Sequence, residues 1–288
     1  MTKPAKRHHF VPRLILKRFA SVDGGLYFFN KKNAAEGVGK ASPKKLFSEN
    51  HLYSEIEDDG SRNPKLENEL ATFEGEIDQI IDKIVERVRR GKQPNLTPAE
   101  KHLWDEFTIL QWKRIPQILE KYINVDAFDR TLENFIEEFE VDYRPLTEAE
   151  REDLDSPETR ARILQNVKVD TIRSPMERSL SVLHEKGIGI AVVNNSKKSF
   201  VIGSSPIVKL NYPGRSSIVD PTTEVWFPIS ADVAITPALN RGVEVVANIH
   251  EKQIRYINAC IYKQSDLVAG RSKELIQSLA RRDIRQVK

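Results

Sequence analysis

The sequence predicts an α+β protein, because helical and strand-like patterns occupy separate stretches of the chain instead of alternating. Residues 64–187 carry apolar residues three and four positions apart, the spacing of helices with one buried face. From residue 188 onward, short β-branched runs are separated by Gly, Pro and Asn. This grouping predicts a helical part followed by a mainly antiparallel sheet with flanking helices, and it disfavours a doubly wound parallel sheet.

An N-terminal arm and a hairpin are predicted for residues 1–60. Pro12 suits the first turn of a short helix, where its missing N–H has no partner to lose. The segment before Pro12 is biased towards extended backbone, so the adjacent side chains of His8 and His9 should point to opposite sides. The sequence GGLYFFNKK then predicts a turn followed by a strand.

A helical domain is predicted for residues 61–187. Thr97 and Pro98 predict the capped start of one helix, with a Glu three residues after the Thr closing a capping box. Further along that helix, Pro116 cannot donate to the carbonyl one turn earlier and is expected to kink it. The Ser-Pro step at Ser174 predicts the start of the last helix of this part.

A C-terminal α+β part is predicted for residues 188–288. Five short strand-like runs lead into an amphipathic helix from Ile254 to Tyr262, and the sequence DLVAG predicts a last strand. Ser272 is expected to cap a final helix. Asn258 falls on the apolar side of its helix, where a buried amide is expected to bond the edge of a neighbouring strand.

Composition excludes several classes of protein. The 288 residues include 45 basic and 42 acidic ones, a net charge of +3, which disfavours a nucleic-acid coat protein and leaves room for local basic patches. Cys260 is the single cysteine, so neither an intramolecular disulfide nor a cysteine-based zinc site is expected. No apolar run approaches the ~18 residues of a membrane span, and the N-terminus lacks the pattern of a signal peptide. We therefore expect a cytoplasmic protein without a membrane partner.

Acidic residues are concentrated between positions 126 and 158, whereas residues 1–22 carry six basic residues and no acid. The first interpretation of the acidic block is a solvated helical face. The second is a surface that repels nucleic acid or contacts a basic partner.

Seven ordered motifs link the chain to a known family. They are HHFVPRLILKRFA, LFSENHLYS, ENELATFE, LQWKRIP, FVIGSSPIV, FPISADVAI and INACIYKQSDLVAGRS. In this order, over roughly residues 8–280, they resemble the domain of unknown function 4238 family, which is bacterial, archaeal and viral. The opening HHxVPxxxLxxF pattern is the most specific of them. Some members are associated with anti-phage defence islands, so the resemblance implies a defence role and no particular mechanism.

One position departs from the family pattern. Members often read Ser-Asp-Asn-Pro where this chain has Gly203, Ser204, Ser205 and Pro206. If the family's aspartate is a metal ligand or a base, this chain lacks that group, because Ser204 replaces it.

Four residues are candidates for catalysis: His8, His9, Asn50 and His51. An imidazole can ligate a metal, act as a base near neutral pH or, when protonated, hold a phosphate. Together they form a His/Asn/His set similar to that of HNH-type nucleases, whose chemistry would require a divalent metal beside the scissile phosphate. In the alternative interpretation, one histidine bonds a buried backbone group and locks the arm, Asn50 caps a turn and His51 is exposed.

Three residues are candidates for binding substrate: Gln111, Arg114 and Ser204. Gln111 and Arg114 are three positions apart and share a helix face. A buried Arg requires an acceptor, which is either a substrate phosphate held bidentately or a carboxylate or free carbonyl of the protein. Ser204 lacks a Gly-x-Ser-x-Gly elbow, and His184 and His250 are its nearest candidate bases in sequence, so its hydroxyl is expected to bond local N–H groups.

Two functions follow from these candidates. The first is a metal-dependent nuclease or phosphodiesterase of phage defence, acting on nucleic acid or on a phosphate-bearing ligand. The second is a non-catalytic sensor or binding module in which the His, Asn and Arg residues are structural. Convergence of His8, His51 and Arg114 on an open cleft would favour the first, and burial with mutual bonding would favour the second. The sequence specifies neither the substrate, nor the metal, nor the oligomeric state.

Overall fold

The α+β architecture is confirmed by a computed structural model, which describes residues 6–123, 125–210 and 224–286. The α-helices in these ranges are α1 (Arg13–Lys17), α2 (Lys65–Arg89), α3 (Pro98–Lys113), α4 (Pro116–Tyr122), α5 (Val125–Asp142), α6 (Glu148–Asp155), α7 (Pro157–Arg173), α8 (Glu177–His184), α9 (Glu251–Gln264) and α10 (Lys273–Gln286). None of the helices within the described ranges is both long and apolar enough to cross a membrane.

The strands build two larger sheets and two short pairs. They are β1 (Arg7–His9), β2 (Leu26–Asn30), β3 (Gly39–Ala41), β4 (Ser48–Asn50), β5 (Glu55–Ile56), β6 (Arg62–Asn63), β7 (Lys186–Val192), β8 (Ile202–Gly203), β9 (Val208–Leu210), β10 (Glu224–Pro228), β11 (Val233–Asn240), β12 (Glu244–Asn248) and β13 (Leu267–Gly270). The sheet orders are β12-β7-β11-β10-β9 and β3-β2-β13-β8, and the short pairs are β1-β4 and β5-β6. Within the two larger sheets, β12 runs parallel to β7, whereas the other pairings are antiparallel.

The chain divides into two compact units, each assembled from separate stretches. Unit 1 consists of Met1–His8, Glu49–Thr72 and Lys113–Pro175. Unit 2 consists of His9–Ser48, Phe73–Trp112 and Met176–Lys288, and it contains both larger sheets.

The helices predicted from apolar spacing are present, with two differences in their bounds. The expected kink at Pro116 is a complete break, because Ile115 takes the extended backbone that a residue before proline prefers, and α4 begins at the proline. The predicted helix start at Ser174 is wrong by three residues. Ser174 ends α7, where its N–H donates to the carbonyl of Asp170, and α8 begins at Glu177.

Side-chain caps follow the sequence pattern closely. Thr97 and Glu100 exchange both bonds of a capping box at the start of α3. The Ser272 hydroxyl accepts from the N–H of Leu275 and caps α10, as predicted.

Asn258 ties α9 to the chain before β8, also as predicted. Its Nδ2 donates to the carbonyl of Ser199 at 2.9 Å, and its Oδ1 accepts from the N–H of Val201 at 3.0 Å. A buried amide with both ends bonded fixes that segment in place.

Candidate functional site

His8 of the HHxVP motif is fully buried in unit 1. It lies in β1, and its Nδ1 accepts a hydrogen bond from the backbone N–H of Tyr53 at 2.9 Å. A carboxylate oxygen of Glu67 lies 3.7 Å from the same nitrogen. The shorter bond decides the tautomer, because a ring that carried a proton on Nδ1 would be unable to accept from Tyr53. The neutral ring therefore carries its proton on Nε2.

Tyr53 connects His8 to Arg114. The Tyr53 ring stacks on the His8 ring with centroids 5.6 Å apart, and its hydroxyl accepts from Nε of Arg114 at 3.0 Å. The guanidinium carbon of Arg114 lies 5.0 Å from the Tyr53 ring centroid, within the range of a cation–π contact. Both rings are 0% exposed and Arg114 is 2% exposed. We call these three residues the buried cluster. The phenol oxygen of Tyr53 is thus an acceptor for Arg114 inside the protein.

His51 lies beside the buried cluster but in a different state. Its backbone is in the left-handed region at φ 57°, which is uncommon for a residue with a side chain. Its N–H donates to the carbonyl of Lys6 at 2.9 Å, and its carbonyl accepts from Nε2 of Gln165 at 3.2 Å. The ring is half-buried and meets the His8 ring edge-on, with centroids 6.3 Å apart. Asn50, at the end of β4, is exposed.

Positive charge surrounds His51. Burial holds the pKa of the His51 ring below its usual value, and the positive groups of Arg62 and Lys6 lower it further. His51 is therefore a neutral imidazole at pH 7 in cationic surroundings.

The remaining predicted residues belong to unit 2. His9 is half-buried. Gln111 is fully buried, and its Nε2 donates to the carbonyl of Phe10 at 2.7 Å. The Ser204 hydroxyl accepts from two backbone N–H groups at and just before the start of β13, at 3.0 and 3.4 Å. Gln111 and Ser204 thus bond distant backbone groups. The prediction of local partners for the Ser204 hydroxyl is wrong, because both N–H groups lie 62 and 63 positions further along the chain, beside β8 in the sheet.

A cavity of about 280 Å³ opens in unit 2, and none of its lining residues is among the sequence candidates for catalysis or substrate binding. Its apolar wall consists of Leu96, Pro98, Ile188 and Val243. Its titratable lining consists of Lys101, His102, Asp105, His184, Arg241 and Glu244. We call it the histidine cavity.

Two histidines in this cavity form a direct pair. Nδ1 of His102, on α3, lies 2.9 Å from Nε2 of His184, at the end of α8. At this distance one nitrogen must donate and the other accept, so the two rings share one proton. Nε2 of His102 also lies 3.4 Å from a Glu106 carboxylate oxygen on the next turn.

A buried carboxylate, that of Asp105, lies next to the histidine pair. Asp105 is paired with Lys101 one turn earlier on α3, and Lys101 also donates to the carbonyl of Leu183 at 3.1 Å. Burial raises the pKa of Asp105, and Lys101 opposes that shift. Burial lowers the pKa of His184, and the Asp105 charge opposes that shift. Nε2 of His184 lies 3.9 Å from the Asp105 carboxylate but 2.9 Å from Nδ1 of His102. The hydrogen-bond partner of His184 is therefore His102.

The two charged residues at the rim have different partners. The Glu244 carboxylate accepts from the backbone N–H groups of Asn95 and Leu96, both at 2.7 Å, and so fixes the loop before α3. Arg241 reaches Glu185 only at 3.5 Å, and both side chains are 71% exposed. An exposed pair at that distance holds the guanidinium weakly.

Nothing in the linear sequence links the two histidines of this pair. They are 82 positions apart on two helices, and neither lies in a metal-ligand spacing. In the sequence, His102 follows Lys101 in a capped helix. Two adjacent polar residues in a helix indicate only a solvated face, so this pattern does not predict a site. Within the described ranges, no three His, Cys, Asp or Glu side chains are arranged to hold a metal ion.

Fold and geometry together define an α+β protein with a buried His–Tyr–Arg cluster in one unit and an open histidine-lined cavity in the other. The chain belongs to the family described as Protein of unknown function (DUF4238), whose model matches residues 7–274. Comparison with curated proteins and with solved structures gave no match.

Proposed function

We propose that this protein is a non-catalytic binding module, a sensor that takes a small anionic molecule in the histidine cavity, and that the buried cluster of unit 1 is structural. The observation that carries the proposal is the contrast in exposure. His8 and Arg114 are buried and joined through Tyr53, whereas His102 and His184 line an open cavity. Such a sensor, acting in the cytoplasm, would suit the anti-phage role that the family resemblance implies.

The charges of the cavity favour an anion. Asp105 is matched by Lys101, and Glu244 is engaged by two backbone N–H groups. The shared proton of the histidine pair is engaged between the two rings, so the weakly held guanidinium of Arg241 is the donor that a ligand meets first, and a further proton on His184 would add an imidazolium. Imidazolium and guanidinium are the groups that proteins use to hold carboxylates and phosphates.

The apolar wall favours a ligand with an apolar body. Leu96, Pro98, Ile188 and Val243 line the same cavity. Its volume, about 280 Å³, is close to the lower end of ordinary small-molecule pockets, which begin at roughly 300 Å³. A ring or short chain that ends in a phosphate or carboxylate matches this combination of size and lining.

Proton uptake should accompany binding. An anion stabilises the protonated form of His184, which the pair otherwise resists because its two facing nitrogens share one proton. The groups that face His184 include Asp105, which raises its pKa, and Lys101, His102 and Arg241, which lower it. Because burial also lowers the pKa of His184, affinity for an anion should increase as pH falls below about 6.5, the ordinary pKa of histidine.

Titration with small aromatic probes tests the proposal. Phenyl phosphate and benzoate are compared with the neutral benzyl alcohol by calorimetry and by shifts of the histidine ring signals in NMR. We expect binding of the anions alone, weakened about tenfold by His184→Gln or Arg241→Gln. Arg255→Gln is the matched control, because Arg255 is 69% exposed and pairs with Glu251 at 3.2 Å. Equal binding of benzyl alcohol, or equal loss in the Arg255 control, would contradict an anion site here.

His51 supports a second function, a metal-dependent phosphodiesterase or nuclease. Its neutral imidazole has the protonation state of a general base, and Lys6 and Arg62 supply positive charge for a phosphate. A divalent metal would be required beside the phosphate. Hydrolysis of DNA, RNA and bis(p-nitrophenyl) phosphate with Mg²⁺ or Mn²⁺ tests it. Activity lost in His51→Gln and kept in His184→Gln would favour this function over the binding module.

A further inference from the structure

Exposed apolar side chains are concentrated in one short stretch of unit 1. Nine large apolar side chains are exposed in the described part of the chain, and four of them lie between residues 135 and 143. They are Phe135, Phe139, Val141 and Tyr143, exposed by 63%, 37%, 84% and 78%. Single exposed apolar residues are ordinary, but a cluster of this kind marks a contact surface.

Two of these four side chains, Phe135 and Phe139, border a groove between α5 and α6. It has a volume of about 210 Å³ and is lined by Phe135, Ile136, Phe139, Leu146 and Leu154. Ile136 is buried and forms part of its floor, whereas Phe135 and Phe139 stand at its edge. We call it the α5–α6 groove.

Ion pairs fix the two walls of the groove. Arg151 on α6 reaches Glu140 on α5 at 3.0 Å, and Arg144 in the loop between them holds Glu150 in a bidentate pair at 2.6 and 2.8 Å. The Arg144 guanidinium also lies 5.7 Å from the centroid of the Phe139 ring. A network of this kind keeps the groove open in one geometry, which lowers the cost of ordering when a partner binds.

The rim of the groove is strongly acidic. Glu138 and Asp142 follow Phe135 and Phe139 by three positions, so they form the neighbouring strip of the same helix. Neither carboxylate has an ion pair within the part of the chain that the structure describes, and the same holds for Glu137, Glu148 and Glu152. Residues 126–158 hold thirteen acidic and three basic residues. This charge disfavours nucleic acid and anionic membranes as occupants and favours a cationic one.

We propose that the α5–α6 groove docks a basic amphipathic helix of a partner protein. The apolar side chains of such a helix, spaced at i, i+3 and i+4, would fill the groove, and its Lys and Arg residues would meet the acidic rim. The proposal is independent of the histidine cavity. It gives a sensor the surface through which an effector protein is recruited.

A designed peptide tests the docking. The probe is a fluorescent helix of about 18 residues made of Leu and Lys, with Leu on one face. The first control replaces each Lys by Glu, and the second keeps the composition and scrambles the apolar face. We expect the full-length protein to bind the first peptide alone, with an affinity that falls as salt rises.

Paired variants then locate the site. Phe135→Gln with Phe139→Gln should weaken binding by about tenfold or more, whereas Val245→Gln with Tyr256→Gln, two exposed residues of unit 2, should leave it unchanged. Glu138→Gln with Asp142→Asn should weaken it by about threefold to fivefold and reduce the salt dependence. Equal binding of the Glu peptide, or equal loss in the unit 2 control, would overturn the proposal. So would a protein that self-associates through Phe135 and Phe139 and excludes the peptide, because the occupant would then be a second copy.

Discussion

His8 in unit 1 and His184 in unit 2 each have a ring nitrogen 2.9 Å from another nitrogen, yet their surroundings differ. His8 is 0% exposed and accepts from a backbone N–H, a partner that cannot change its protonation state. His184 lines a cavity and faces a second imidazole, so the proton between them can move or be joined by another. A backbone partner fixes a histidine in one tautomer, and a histidine partner in an open cavity leaves it responsive to pH and to anions.

The largest expected effect of a substitution is in the buried cluster. Tyr53→Ala removes a fully buried ring that stacks on His8 and leaves Nε of Arg114 without its phenol acceptor. We expect a loss of about 3–5 kcal/mol in the free energy of unfolding, measured by urea titration. Tyr53→Phe keeps the ring and removes only the hydroxyl, so it should cost about 1–3 kcal/mol. A Tyr53→Ala protein as stable as wild type would end the structural interpretation of the cluster.

The second effect distinguishes the histidine cavity from the buried cluster by the dependence of anion binding on pH. Benzenesulfonate keeps its charge across the neutral range, unlike a phosphate, whose second pKa is near 6. Its affinity for the histidine cavity should increase by about tenfold between pH 7.5 and pH 5.5, because His184 binds the anion best when it is protonated. Calorimetry at intermediate pH values gives the curve. A flat curve in wild type, or the same slope in His184→Gln, would contradict the assignment of His184 as the responsive group.

Lys113 offers a pH test within unit 1. Its ammonium donates to the carbonyl of Ile172 at 2.6 Å and to that of Ser174, and burial lowers the pKa of Lys113 to about 8. Between about pH 8 and pH 10 the unfolded chain holds a proton that the folded chain has released, so stability should rise with pH in this window. The free energy of unfolding of wild type should show this rise relative to that of Lys113→Met. Lys65→Met, which replaces an exposed lysine, is the control and should leave the rise in place. If the free energy of unfolding of wild type fell relative to that of Lys113→Met as the pH rose, the fold would favour the charged form of Lys113, which would contradict the prediction.

The smallest expected effect is the loss of stability when the threonine cap of one helix in each unit is removed. Thr97 caps α3 in unit 2 and Thr147 caps α6 in unit 1, each with a capping box. Thr147→Ala and Thr97→Ala should each lower the melting temperature by about 2–4 °C. Because Thr97 also lines the histidine cavity, Thr97→Ala alone should change the affinity for benzenesulfonate. A change of affinity in Thr147→Ala would show that the measurement follows stability and not the cavity.

Local signals in the sequence predicted local structure well. The capping box at Thr97 and the strand runs after residue 188 depend on neighbours within a few positions, and the structure has each of them. The apolar spacing of α9 also predicts that the Asn258 amide is buried, although its partners Ser199 and Val201 are 59 and 57 positions away. The extended segment before Pro12 also placed His8 and His9 on opposite sides of a strand, one buried and one half-buried. The sequence predicts only a kink at Pro116, because proline removes one helical hydrogen bond and the pattern does not show whether Ile115 keeps helical backbone.

The sequence does not predict which residues far apart in the chain contact each other. The pairing of His102 with His184 joins residues 82 positions apart, and the Tyr53 phenol that accepts from Arg114 is 61 positions away. Neither pairing leaves a spacing pattern, since each residue is placed by its own helix or loop. The two units are likewise assembled from separate stretches, which composition along the chain does not show.

The most direct test of the central claim measures two properties in two variants. His8→Ala and His184→Gln are compared with wild type for melting temperature and for affinity towards benzenesulfonate at pH 6. The account predicts that His8→Ala lowers the melting temperature by about 5 °C or more and, while folded, binds the anion as wild type does. It predicts that His184→Gln melts within about 1 °C of wild type and binds about tenfold more weakly. The opposite pattern, in which His8→Ala keeps its melting temperature and loses an activity while His184→Gln is unaffected, would contradict it.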